Sequence, residues 1–232
     1  SIDEVPPTLT DFVQRRAAGN PFYCVELVET MREGGVVQVV DGVCRHVDLD
    51  AVDIPSSVEG VVVSRIDRLS EEQSFALKLA AVVGRTFQTD TIREIHPVAD
   101  RRGDVDHHLA ALAQLGLTVA IPDRVGAYSF SHDITREVTY GLLPLTQRRP
   151  LHLAVADWYE AALSDLDPHV AVLAEHCRRA GSAERAVGYF ERAGTLALRS
   201  GAFTEAGGFF ERSLELDAGE DRARRATWTK GI

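Results

Sequence analysis

Residues 178–212 read RRAGSAERAVGYFERAGTLALRSGAFTEAGGFFER, and this stretch repeats itself after twenty residues. The recurring positions pair as Arg179 with Arg199, Gly181 with Gly201, Ala186 with Ala206, Gly188 with Gly208, and FER at 190–192 with FER at 210–212. Self-similarity at a fixed period is typical of stacked helices, each burying a face that only its neighbours can cover. The small residues are expected to let the helices approach closely, while Phe190 and Phe210 fill the gaps between them.

The residues around this repeat also have a helical pattern. From residue 131 onward, helices are predicted over 134–143, 151–163, 170–179, 185–199 and 204–216. Prolines at 144, 150 and 168 are expected to separate them, because proline interrupts a helix interior. The C-terminal third therefore predicts an α-α repeat array over 146–232.

The middle of the chain predicts three helices followed by a small hairpin. Two capping boxes, Ser56 with Glu59 and Ser70 with Gln73, mark helix starts after residue 54. Further helices are expected over 90–95 and 104–115, followed by strands over 117–121 and 127–130. Three helices and a two-stranded wing are the order of a winged helix-turn-helix, predicted over 54–145.

The N-terminal part, 1–53, predicts two helices and a β-hairpin. Asn20 and Pro21 start the second helix, with Phe22, Val25, Val28 and Met31 expected on its buried face. Strands over 36–40 and 43–47 flank an Asp41-Gly42 turn. Taken together, the chain is expected to be mainly α.

Composition narrows the functional classes. The chain has 25 basic and 35 acidic residues, a formal charge of -10, which disfavours binding to a phosphate backbone. Its three cysteines are scattered, so a reducing cytoplasm is the expected setting. Neither a membrane span nor a signal peptide is expected, because the sequence has no apolar run of the length that either requires. Ser1 in place of Met indicates a fragment of a longer protein.

Several ordered motifs carry a resemblance to a known family. They are AGNPFY at 18–23, IP at 54–55, SRIDRLS at 64–70, AAVVGRTF at 80–87, YSFSHD at 128–133, and the pairs EL at 26–27, RE at 136–137, RR at 148–149 and LH at 151–152. Their sequence and order resemble the signal-transduction ATPases with numerous domains (STAND), large bacterial proteins of the AAA type. The resemblance extends to about residue 216.

The resemblance implies what each part does. Residues 1–53 would be lid helices behind an ATPase core, followed by the winged helix and the first tetratricopeptide-like repeats. ATP or ADP and Mg²⁺ would be bound by an upstream core, and a protein partner by the repeats. In this family such regions accompany class III adenylate cyclases or LuxR-type transcriptional regulators. The expected function is a non-catalytic regulatory arm in signal transduction, with no cofactor of its own.

No catalytic residue is predicted in this chain. A phosphate-binding loop requires glycines ending in Lys and Ser or Thr, and the two lysines, Lys78 and Lys230, do not follow such glycines. Ser131, His132 and Asp133 are neighbours in sequence, whereas the members of a catalytic triad are assembled in space. The fragment alone is therefore expected not to hydrolyse ATP.

Gly19, Asn20 and Pro21 are the one candidate nucleotide contact. From local sequence they form a helix cap. The resemblance implies that their backbone and the proline lie near the adenine, and a helix N-terminus favours negative charge. The two interpretations are compatible.

The histidines do not form a predicted metal site. His107 and His108 are adjacent and point apart, while His169 and His176 share a helix face without a third well-spaced ligand. His132 and His152 are expected as polar residues where the winged helix meets the repeats.

Two other functions remain open alternatives. A winged helix can read DNA, but the third helix, 104–115, contains no Lys or Arg, which argues against DNA binding. The second alternative is the regulatory region of a class III adenylate cyclase, whose catalytic residues would lie upstream.

Overall fold

The computed structural model of this protein describes residues 5–40, 43–46 and 57–217, and helices dominate it. The helices are α1 (Pro7–Ala17), α2 (Pro21–Glu33), α3 (Val58–Ile66), α4 (Glu71–Val83), α5 (Thr89–Ile95), α6 (Val105–Gln114), α7 (Asp133–Gly141), α8 (Leu145–Ala162), α9 (Val170–Ala180), α10 (Ala183–Arg199) and α11 (Phe203–Leu216). The strands are β1 (Val37–Val40), β2 (Val43–His46), β3 (Thr86–Gln88), β4 (Thr118–Ala120) and β5 (Ala127–Phe130). The predicted mainly α fold is confirmed.

The N-terminal unit consists of α1, α2 and the antiparallel β1–β2 hairpin. Asp41 and Gly42, predicted as its turn, lie outside the described residues, as does Ser56. The predicted buried face of α2 is wrong at two positions, because Val25 and Val28 are 53% and 37% exposed. Met31 is buried as predicted, and together with Tyr23 and Leu27 it packs against α1 and the hairpin.

The middle unit spans α3 to α7 and contains an antiparallel sheet in the order β3-β5-β4. From α4 onward the chain runs helix, strand, helix, helix, strand, strand. The sequence missed β3, which has only three residues and pairs Phe87 with Tyr128. Ser70 and Gln73 form the predicted capping box. In α3 the cap is Ser57, whose Oγ accepts a hydrogen bond from the Gly60 amide at 3.1 Å.

The helical array consists of α8 to α11, in which each helix packs against the one before it. Helix α8 also packs on α4 and α5 and so joins the array to the middle unit. Pro150 was expected to end a helix, but it lies inside α8. Proline gives up one helical hydrogen bond, and α8 continues because Leu151, Val155 and Ala156 are buried along one side.

The twenty-residue repeat encodes the turns of this array. Gly181 and Gly201 have φ angles of +83° and +79°, a left-handed conformation that glycine adopts without strain. The amide that follows each glycine donates to the carbonyl five residues earlier. Ser182 donates to Cys177 and Ala202 to Ala197, both at 2.9 Å. This is the Schellman arrangement, which satisfies carbonyls at the helix end.

The expected role of the glycines at 188 and 208 is wrong. A Cβ atom at Gly188 or Gly208 would meet nothing within 4 Å, so neither lies at a helix contact. The close approach occurs at Gly194, where a Cβ would lie 2.7 Å from the Phe210 ring. Ala186 and Ala206 are fully buried as expected, and so is Phe190.

Candidate functional site

Gly19, Asn20 and Pro21 form the exposed start of α2. The Asn20 side-chain oxygen accepts a hydrogen bond from the Tyr23 amide at 3.2 Å, and Pro21 occupies the first helical turn. Gly19 has a φ angle of +83°, and a Cβ there would meet nothing within 4 Å. The cap is thus formed, and the surface in front of it is open. Whether a nucleotide binds there stays a prediction.

The start of α7 lies beside this surface. The His132 ring, at the N-cap position of α7, is 4.3 Å from the Phe22 ring between centroids. His132 was expected where the middle unit meets the repeats, and it contacts the N-terminal unit instead. Both helix N-termini carry the partial positive charge of the helix dipole. Together they form a surface to which two units contribute, called here the paired-terminus surface.

The neighbours of His132 do not converge with it. Asp133 forms an ion pair with Arg85 at 2.6 Å, and the Ser131 hydroxyl is buried without a hydrogen-bond partner among the described residues. The geometry therefore provides no relay from carboxylate through imidazole to hydroxyl.

Arg65 of α3 joins the N-terminal and middle units. Its guanidinium is 2.7 Å from a Glu26 carboxylate oxygen and 3.0 Å from one of Glu33, both on α2. It also donates to the carbonyl of Leu115, at the end of α6. Burial opposes the charge of Arg65, but hydrogen bonds and the charges of Glu26 and Glu33 outweigh it and raise the Arg65 pKa. This group is called the arginine hub.

The sequence carried a signal for the hub that was not recognised. Glu26 and Arg65 appeared only inside family motifs, yet both are 2% exposed. A buried charge is stable only when it is paired. Glu26 sits on the same face as Leu27 and Thr30, and Arg65 ends a valine-rich helix, so each is a charge within an apolar pattern.

A second buried polar group joins the middle unit to the array. The Tyr140 hydroxyl lies 2.9 Å from His152 Nε2, and His152 Nδ1 lies 2.8 Å from His176 Nδ1. His176 also bonds the backbone of Val83 at the end of α4. One set of protons satisfies all contacts: Tyr140 donates to His152, His152 to His176, and His176 to the Val83 carbonyl. This group is called the histidine relay.

The relay requires neutral imidazoles. Burial, followed by the charges of His176 and Arg179, lowers the pKa of His152 to about 3. Burial and Arg179 lower the pKa of His176 to about 4, against the opposing effect of the Val83 carbonyl. With both rings protonated, the two Nδ1–H groups would face each other across 2.8 Å. His152 lies where it was expected, whereas its pairing with His176, 24 residues away, was not predicted.

Within the described ranges, no group of three or more His, Cys, Asp or Glu side chains is arranged to hold a metal ion. His107 and His108 have ring centroids 5.8 Å apart. In the same part of the chain, no helix combines the length and apolar character needed to cross a membrane.

Comparison with known proteins gives two matches. A family described as a domain of unknown function (DUF8739) matches residues 2–45. An uncharacterized protein of Rhizobium meliloti (strain 1021) is 26% identical over 222 residues, covering 90% of this chain and 20% of its own length. The chain thus spans about a fifth of that relative. No solved structure matches the chain.

Proposed function

We propose that this chain is the non-catalytic regulatory and protein-interaction arm of a bacterial STAND-type signalling ATPase. In this proposal α1, α2 and the hairpin are lid helices, α4 to β5 form a winged helix, and α8 to α11 begin a tetratricopeptide-like array. ATP or ADP and Mg²⁺ would be held by an ATPase core upstream, in the cytoplasm.

The observation that carries the proposal is the contact between Phe22 and His132. It brings the exposed starts of α2 and α7 to one surface, so an ATPase core bound there would touch the N-terminal and middle units together. A change in the core would then act on the angle between the two units. The start of α2, which has no acidic residue in its first turn, also suits a phosphate-bearing ligand.

The array supports the proposed role in binding a protein partner. It rests on the middle unit through α8 and the histidine relay, so a movement of the middle unit carries the array with it. Stacked helices present extended surfaces, which repeat proteins use for binding partners. In the Rhizobium relative the matching region is one part of a longer chain, the setting that the proposal requires.

The alternatives differ in what the middle unit does. DNA binding through α6 is disfavoured because the helix has no Lys or Arg, and its Asp106 is engaged by Arg93 at 2.6 Å. A role as the regulatory region of a class III adenylate cyclase would use the same contacts and differ only in the upstream domain.

The proposal is tested with a fusion that places an ATPase core before Ser1. Digestion by trypsin is followed in ATP and in ADP, with a core lacking its phosphate-binding lysine as the control. We expect the cleavage rates of the arm to differ between the two nucleotides, and the difference to vanish in the control. Identical digestion in ATP and ADP would contradict the proposed coupling.

A further inference from the structure

A cleft of about 310 Å³ lies between the sheet of the middle unit and the last turns of α8. Phe87 forms part of its lining on the sheet side, and Trp158, Tyr159 and His169 contribute from the array. Ligand sites occur preferentially at such boundaries between units, and this volume is at the lower end of their range. The cleft therefore has room for one small molecule.

The array side of the cleft is aromatic. The Trp158 and Tyr159 rings lie edge to face with centroids 5.1 Å apart, and the His169 ring is 5.4 Å from that of Tyr159. Burial raises the pKa of Tyr159, so its hydroxyl stays protonated. Aromatic faces and edges favour another flat ring over an aliphatic chain, because offset and edge-to-face contacts add to the burial of area.

The charge of the cleft differs from that of the whole protein. The chain carries a formal charge of -10, yet none of the described residues that line the cleft is acidic. The lining includes Arg124 of the β4–β5 loop, for which no carboxylate partner is found within the described ranges. By contrast, Arg85 and Arg93 on the same unit each hold an aspartate at 2.6 Å. Arg124 is thus available to an anion.

We propose that this cleft binds a small planar aromatic carboxylate, with its ring against Trp158 and Tyr159 and its carboxylate on Arg124. The guanidinium suits a carboxylate because its N–H groups form paired, charge-assisted hydrogen bonds. Such a ligand contacts both the β4–β5 loop and α8, and so stabilises the contact between the middle unit and the array. The site is separate from the paired-terminus surface and does not depend on nucleotide binding.

Isothermal titration of the whole chain with cinnamate tests the proposal, with uncharged cinnamyl alcohol as the second probe. Arg124→Gln is expected to weaken cinnamate binding by roughly tenfold and to leave the weaker alcohol binding unchanged. Arg149→Gln, a change at another exposed arginine outside the cleft, is the matched control and should alter neither. Trp158→Leu should weaken both probes, with thermal melting used to check that the variant is folded.

Four results would overturn the proposal. One is the absence of cinnamate binding up to about 10 mM, since even weak specific sites bind near the millimolar range. Another is equal affinity of the wild type for the acid and the alcohol. A third is a loss of cinnamate binding that is the same in Arg124→Gln and Arg149→Gln. The fourth is full cinnamate binding by a folded Trp158→Leu variant, because cinnamate would then be held only by an ion pair at the surface.

Discussion

The middle unit is joined to its two neighbours by buried polar groups of opposite character. Towards the N-terminal unit, the arginine hub holds a guanidinium between the carboxylates of Glu26 and Glu33. Towards the array, the histidine relay links neutral side chains, Tyr140, His152 and His176, ending on a backbone carbonyl. The hub must stay charged, and the relay must stay uncharged.

This difference indicates how each junction can fail. Removing one partner from a buried ion pair leaves the other charge without compensation in an environment that solvates it poorly. Adding a proton to the relay has the equivalent effect, because it creates a buried charge where none is compensated. The first junction is therefore sensitive to substitution and the second to acid.

The largest effect is expected at the hub. Arg65→Met removes the cation and leaves the buried carboxylate of Glu26 unpaired, which costs about 3–5 kcal/mol. The control is Arg32→Met, because Arg32 pairs with Glu29 at 2.6 Å on the surface, with its side chain 58% exposed. Exposed pairs contribute roughly 0–1 kcal/mol. Urea unfolding measures both, and equal losses would remove the distinction between a buried hub and a surface pair.

Lowering the pH is expected to destabilise the folded protein through the histidine relay. The pKa values of His152 and His176 in the folded protein, about 3 and about 4, lie below the unfolded value of 6.5. The unfolded state therefore binds more protons below pH 6.5, so this stability is fully present above that pH and is lost as the pH falls towards 4. Between pH 7 and pH 5 the loss is about 2 kcal/mol for each imidazole.

A variant separates the pH dependence due to the histidine relay from that due to other titrating groups. Burial also lowers the pKa of His96. His96 therefore makes the free energy of unfolding depend on pH in the wild type and in the variant alike. His176→Gln removes one relay imidazole. The loss of unfolding free energy between pH 7 and pH 5 should therefore be smaller in this variant by about the contribution of one imidazole. If the loss is the same in the wild type and in His176→Gln, the relay does not contain neutral, buried imidazoles.

A smaller effect is expected inside the array, away from both junctions. Gly194→Ala places a methyl group against the Phe210 ring and should cost about 1–3 kcal/mol by overpacking. Gly188→Ala on the same helix meets open space and should stabilise by roughly 0.5–1 kcal/mol, because alanine favours a helix more than glycine does. Thermal melting checks the sign of each change. If both variants melt alike, the repeat does not pack through Gly194.

The sequence predicted local structure better than it predicted contacts. The caps at Asn20 and Ser70 depend on residues within one helical turn, so their patterns were readable. The strand β3 was missed because three residues are too few to show an alternation, and because its pairing partner β5 lies about forty residues later.

The functional groups were harder to predict for the same reason. The hub joins residues 39 apart and the relay residues 24 apart, and no spacing rule connects such positions. The face of α2 was misassigned because hydrophobic periodicity counted Val25 and Val28 as buried, while the structure buries Glu26 beside Leu27 to meet Arg65. Glycines were assigned to helix contacts by their repetition, although their contacts depend on a neighbouring helix.

The proposed function requires that nucleotide acts on this arm at the paired-terminus surface. Affinity for fluorescent ADP, measured on the core fusion with Pro21→Ala, tests it most directly. Pro144→Ala, at the exposed start of α8, is the control. We expect Pro21→Ala to weaken the binding of ADP by about tenfold, or ~1.4 kcal/mol, and Pro144→Ala to leave the affinity unchanged. Equal affinity in the wild type and Pro21→Ala would contradict it, leaving Gly19, Asn20 and Pro21 as a helix cap alone.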